Sequence, residues 1–386
     1  QNNWNNNTDT FVLTLGAVGT ETIIQPSQDS LTNGYVAWYP DDSNTPEYIE
    51  FNPQSGPTTI HPYGSGIDTN EVSLTINGDL TLKDGAIILG HAGEVTLGEL
   101  DLESGMVSIG GESILNLAGG NVGEDGVLRS PGGPSSVNLQ GDLRVEGAFA
   151  VVSSINLDLA GNTIDASGGM IALGGERSLD NIITDEETTL KVLGHLELSR
   201  TDSGTNTVGD LEFVQIGPSS PSLSVSGGMG LTVAGTADIN GYQINHDTGN
   251  LTFQSTPSFS NSSFLSVSNG GKLILQNGGT FDNSFVDFSD SVFKPSGIVS
   301  VENGSSFNLN DTSSIVLQGD TIFSQIGDIY WPELDLTGDD GSANVLTLDS
   351  NVSSLSIQKA LNIANGASLT SVTSNLIFNN TLTIDN

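Results

Sequence analysis

Forty-six of the 386 residues are Asp or Glu, against nine Lys or Arg and four His. Carboxylates are the abundant reactive group, and they support two chemistries: divalent-cation binding and acid–base glycoside cleavage. The densest candidate cation loop is Asp335, Asp339, Asp340 and Asp349, set around Gly338 and Gly341. Hard carboxylate oxygens on a Gly-rich turn suit calcium. A solvated turn is the competing reading of the same residues. Asp185-Glu186-Glu187 forms a second acidic knot. Gly64-Ser65-Gly66-Ile67-Asp68 looks like half of a Gly-Gly-x-Gly-x-Asp calcium-roll repeat, but it lacks the first Gly and has no tandem copies. Calcium is therefore the candidate cofactor, and nothing implies another.

Catalytic sets are harder to assemble. Glycoside hydrolysis needs two carboxyl groups roughly 5–10 Å apart, and in so acidic a chain such pairs arise by accident. The basic residues, from Lys83 to Lys359, are thinly scattered, whereas uronate-cleaving β-helices need them clustered beside acids. Polygalacturonases carry Asn-Thr-Asp, Asp-Asp, Gly-His-Gly and Arg-Ile-Lys. Here Asn7-Thr8-Asp9, Asp41-Asp42 and Asp339-Asp340 occur, but the other two motifs do not. His61, His91, His195 and His246 are dispersed, and none sits in a Gly-x-Ser-x-Gly elbow. The chain has no Cys, so Cys-based zinc sites are excluded. The expectation is a protein that is not an enzyme.

Aromatic side chains offer a third chemistry, stacking against sugar rings. Residues 1–65 hold four of the six Tyr, two of the three Trp and six of the 13 Pro. Tyr35, Trp38 and Tyr39 are the candidate carbohydrate-binding platform. Strand-like runs at 10–15, 21–24, 35–38 and 48–51 make this segment either a small β domain or a cap over the first strand edge.

The elements that must position these groups are announced by a repeated phrase. Residues 74–85 read Leu-Thr-Ile-Asn-Gly-Asp-Leu-Thr-Leu-Lys-Asp-Gly, and 137–147 read Val-Asn-Leu-Gln-Gly-Asp-Leu-Arg-Val-Glu-Gly. Weaker copies follow at 190–198, 265–275, 355–363 and 376–384. From about residue 70 onward, runs of three to six residues alternate apolar and polar positions, broken by Gly, Asn or Asp. Period-two alternation marks half-buried strands, and repetition marks stacked units. Such short strands gain stability when stacked in register. The fold class expected is all-β: a parallel β-helix (β-solenoid) over 66–386 with an atypical β-rich N-terminal cap or small domain over 1–65. At roughly 22 residues per turn, about 14 turns would make a rod about 65–70 Å long. In this reading Leu80 and Leu143 point inward, and His195, which takes the place of Asp79 and Asp142, is a surface turn residue. Nine of the 14 Phe fall between 253 and 323, which predicts stacked Phe in an interior column. The last residues open another copy of the phrase, so the expectation is a solenoid continuing beyond Asn386.

A formal charge of −37 excludes nucleic acid and disfavours anionic membranes as partners. No apolar stretch approaches the roughly 18 residues of a membrane span. The acidity also keeps a strand-rich surface soluble.

The phrase at 74–85 and its echoes resemble the β-strand repeats of large exported surface proteins of Gram-negative bacteria: autotransporter and filamentous-haemagglutinin-like passengers and the surface adhesins of gliding Bacteroidetes. The resemblance covers roughly 70–386. It implies export, a secreted or cell-surface position, and adhesive or structural work. The implied partners are an extracellular surface or polysaccharide, other cell-surface proteins, or further copies through the solenoid ends. The alternative is a β-helix that binds or degrades polysaccharide, as tailspikes and lyases do.

Overall fold

Alternating strands this short cannot bury their apolar rows alone, and they do so by pairing one turn above the next. The computed structural model is all-β with no helix, its parallel sheets stacked as a β-solenoid of about 13 turns. It describes residues 94–384 apart from 111, 133, 153–154, 216–217, 219, 338–341, 364, 372–374 and 380. Before residue 94 it describes the backbone of nine short strands. Contacts divide the chain into two compact units, 1–175 with 181–184, and 176–180 with 185–386.

In the first unit, one long strand shows how a turn is made. Glu94–Gly110 runs past three successive partners: Val95–Leu97 pairs with Ser73–Ile76, Leu100–Leu102 with Leu80–Leu82, and Gly105–Ile109 with Gly85–Leu89. The next turn, Ile114–Gly132, pairs likewise with Ser136–Leu139, Leu143–Val145 and Ala148–Val151. Glu94 pairs with Ile114 and Ile114 with Ser136, steps of 20 and 22 residues. Earlier backbone joins the same ladders in parallel. Phe11–Leu13 pairs with Tyr48–Phe51, Thr22–Ile24 with Thr58–Ile60, and Val36–Trp38 with Gly66–Thr69.

The register lines up interior columns. Leu100, Gly120, Leu143, Ile164 and Ile182 follow one another. The four aliphatic members are all 2% exposed or less. Burying each side chain contributes about 1.5–3 kcal/mol. The repeated phrase occupies a corner between two faces, and Leu143 points inward as its pattern predicts. Gly141 stands at that corner because a Cβ there would lie 1.9 Å from the Ala118 carbonyl oxygen. Gly120 has φ +135° and an even tighter constraint, since a Cβ would lie 2.0 Å from Leu100 O. Only glycine meets both demands.

The second unit has three separate ladders. One turn is Gln243–Asp247 (first face), Asn250–Phe253 (second) and Ser258–Ser260 (third). The next is Phe264–Ser268, Lys272–Leu275 and Gly279–Asp282. The first face steps by 21 residues from Gln243 to Phe264, Phe285 and Ser306.

Here the interior is aromatic. Phe253, Phe259, Phe281, Phe288, Phe293, Phe323 and Trp331 are all buried. Phe259 and Phe281 are register partners stacked at 5.0 Å. The rings do not form one column, as the sequence pattern had suggested. They come from all three faces and converge on Phe307, whose centroid lies 5.1–5.8 Å from those of Phe281, Phe288, Phe293 and Phe323. Phe264 and Phe285 are not part of this core. Strand alternation turns them outward in one row, and Phe285 is 46% exposed.

Candidate ligand-binding cleft

The acidic loop is distributed over separate ladders. Asp335 ends the strand Gly327–Asp335, in register with Val316 and Asn362, and its Oδ1 accepts the Thr337 N–H at 2.8 Å. Asp349 follows Val345–Leu348 on the third face and accepts the Ser324 hydroxyl at 2.9 Å. That hydroxyl, then the backbone N–H and hydroxyl of Ser350, hold its carboxyl below the ordinary range. Asp339 and Asp340 lie outside the described residues. Among the described residues no group of three or more His, Asp or Glu is placed to hold a metal ion. Asp185 accepts the Glu187 N–H and the Thr188 hydroxyl, closing its own turn. Asp68 lies within the strand Gly66–Thr69. Of the aromatic platform, Tyr35 and Tyr39 lie outside the described residues, as does the Trp38 side chain; Trp38 ends the strand Val36–Trp38.

Other acids latch one turn to the next. Asp142 accepts the Thr163 N–H at 2.8 Å. Asp180 accepts the N–H and hydroxyl of Thr201 at 2.8 and 3.0 Å. Asp210 receives the same pair from Thr236, at 2.6 and 2.8 Å, and Asp320 accepts the Val345 N–H at 2.9 Å. Each bond satisfies a corner amide that strand pairing leaves free. The backbone bond is the main reason that Asp180 and Asp210 titrate below the ordinary carboxylate range. Sequence reasoning missed these latches. Their signal was present in Asp142 with Thr163 and Asp180 with Thr201, an Asp followed by Thr one 21-residue turn later.

The described histidines are separate. His195 is an exposed corner residue, as its place in the phrase predicts, with Nδ1 2.8 Å from Ser222 Oγ. His246 faces inward between Val225 and Val267 in the register and is 1% exposed. Neither ring nitrogen has a hydrogen-bond partner, and burial pushes its pKa down. His61 and His91 lie outside the described residues.

One face of the second unit opens. On the first face, Ser306–Leu309 pairs with Phe285–Ser289 below it. The segment 21 residues later begins Gly327–Asp335, which pairs instead with Ser314–Val316 and Val352–Ile363. The corner sequence explains the departure. Earlier third-to-first-face corners contain left-handed Asn261, Asn283 and Asn303, with Ser263, Ser284 and Ser305 stacked one turn apart. Ser263 Oγ accepts the Gly241 N–H at 3.0 Å, and Ser305 Oγ accepts that of Ser284 at 3.0 Å and donates to Phe281 O at 2.8 Å. Twenty-one residues after Ser305 stands Ile326, 77% exposed, which cannot make these bonds. The strand that follows has a register shift between Trp331 and Glu333, around Pro332, which has no N–H to give a ladder.

The result is a cleft of about 320 Å³ lined by Ser306, Phe307, Asn308, Gln325, Asp328 and Tyr330, among others. Half-buried Phe307 joins it to the aromatic core, and Tyr330 is 63% exposed. Ser306 Oγ donates to Asn308 Oδ1 at 3.0 Å, and Asp328 accepts the Ser354 hydroxyl at 2.7 Å. The lining contains one carboxylate and no cation. This arrangement suits hydrogen bonding beside an aromatic surface. The sequence signal was the loss of the Asn-x-Ser corner at Gln325-Ile326-Gly327, legible only once the 21-residue step is known.

No protein-family model, no curated protein and no solved structure matches the chain. The architecture it presents is that of a parallel β-solenoid built from repeated, latched turns.

Proposed function

We propose that this chain is a structural and adhesive solenoid, part of a large bacterial surface protein or filament working outside the cell. The observation that carries the reading is what the carboxylates do. Asp142, Asp180, Asp210 and Asp320 bind backbone amides of the following turn, so acidic groups serve assembly of the scaffold. The outward row Asn245, Ser266, Asp287 and Asn308 repeats short polar groups at every turn, a regular surface for polyvalent contact. The resemblance of the phrase at 74–85 to exported adhesin repeats supports the extracellular, Gram-negative setting.

Beads coated with the chain should adhere to polysaccharide-coated or cell-coated surfaces, while the soluble chain releases no reducing ends or unsaturated products from neutral and acidic polysaccharides. Release of such products would overturn the reading in favour of a depolymerase. Glycoside cleavage ordinarily uses two carboxyl groups, and the cleft has Asp328 alone.

A further inference from the structure

We infer that the first-face cleft of the second unit is a subsite for a neutral sugar ring of a polysaccharide, a reading that rests on the adhesive function proposed above. Tyr330 is the stacking platform, and Ser306, Asn308 and Gln325 form the hydrogen-bonding wall.

Four observations narrow the ligand class. First, Tyr330 exposes 63% of its surface beside the opening. A flat aromatic face with a polar tip matches the apolar face and hydroxyl rim of a pyranose. Second, the amides of Asn308 and Gln325 and the Ser306 hydroxyl each offer donors and acceptors. Sugar hydroxyls need both, whereas an anionic ligand needs donors and cations. Third, no cation lines the cleft, and the chain carries a formal charge of −37. That field repels uronates, phosphates and sulfated glycans. Fourth, about 320 Å³ lies at the lower end of small-ligand pockets, suited to one or two rings.

An inserted peptide strand fits less well. Ser306–Leu309 lacks a ladder partner on the cleft side, which would favour strand addition. A strand placed between two others needs them about 9.6 Å apart, twice the normal spacing. Cα atoms of Ser306–Leu309 and Gly327–Asp335 come within 8 Å. A sugar ring can enter the side of such a gap without the two segments moving apart. The surface next to the cleft extends the path, because Phe264 and Phe285 occupy the same outward row as Ser306.

The test is affinity electrophoresis of the full chain through gels containing a neutral β-glucan, a neutral mannan, a neutral galactan or an anionic polyuronate. At least one neutral polymer should retard the parent chain, and the polyuronate should not. Tyr330→Ala should weaken that retardation at least tenfold with unchanged circular dichroism and melting temperature, and Tyr330→Phe should stay within about threefold of the parent. Asn308→Ala should weaken it severalfold. The inference is overturned if no neutral polymer retards the parent, if the polyuronate retards it equally, or if Tyr330→Ala binds like the parent. It is also overturned if an extended peptide competes for the site and the neutral polymers do not. Bead adhesion separates the two levels. Adhesion that survives Tyr330→Ala removes this subsite and leaves the adhesive reading intact, whereas a parent chain that adheres to nothing removes the adhesive reading itself.

Discussion

The turns around Leu143 and those around Phe281 share a register logic and fill their interiors differently. In the first unit, Leu100, Leu143, Ile164 and Ile182 occupy one column, and the gap at Gly120 is closed by its backbone approaching Leu100. Contacts there run along the stack. In the second unit, rings from three faces meet at Phe307. Contacts there also run across the stack. A column of branched aliphatics depends on every rung keeping its place, because each side chain covers only its neighbours. An aromatic hub joins the faces to one another, so one face can open while its centre stays packed. The cleft occurs at Phe307, where the hub is available to plug it.

The largest expected effect breaks the aliphatic side of this comparison. Leu143→Asp places a charge in a column where Leu143 is 1% exposed. It should cost several kcal/mol, read as a large fall in melting temperature or loss of soluble folded protein. An unchanged melt would show that Leu143 does not face inward. The aromatic side is sharpened by Phe281→Ala and Phe307→Ala. Loss of fully buried Phe281 should cost about 3–5 kcal/mol, and loss of half-buried Phe307 should cost less. Denaturation of both variants and the double variant should give a coupling of roughly 0.5–1.5 kcal/mol. Simple additivity would remove the hub.

The smallest effect concerns the latches. Asp210→Ala should cost about 1 kcal/mol at neutral pH, the scale of a lost cap. The folded-state pKa of Asp210 is depressed, first by the Thr236 N–H. Its contribution is therefore present above the ordinary carboxylate pKa of about 4 and is lost as pH falls through the lowered folded value. The difference in stability between parent and variant should be constant from pH 7 to 5 and shrink below about pH 4. A difference that grew on acidification would contradict the latch.

Much of the scaffold was legible because strand alternation and tight corners are local rules. The phrase at 137–147 contains its own strand, corner and strand, Ser136–Leu139, Gly141 and Leu143–Val145. The inward placement of Leu143 and the surface placement of His195 follow from alternation and position in the phrase. The placement of Phe264 and Phe285 did not follow from their abundance. In a strand a one-residue shift moves a side chain from core to solvent, and residue type does not reveal which parity a turn will impose. The grouping of Asp335 with Asp349 rested on closeness along the chain, which a solenoid separates onto different faces. The latches and the cleft were harder still, since both depend on residues 21 to 26 positions apart.

The sequence by itself determined a stack of short parallel strands, because period-two alternation interrupted by turn residues leaves each strand half-buried and in need of an identical neighbour. Tertiary structure alone decided which side chains meet. The step between turns varies by a few residues at the corners, and that variation selects which carboxylate reaches which amide, which rings converge on Phe307, and where a face opens beside Tyr330.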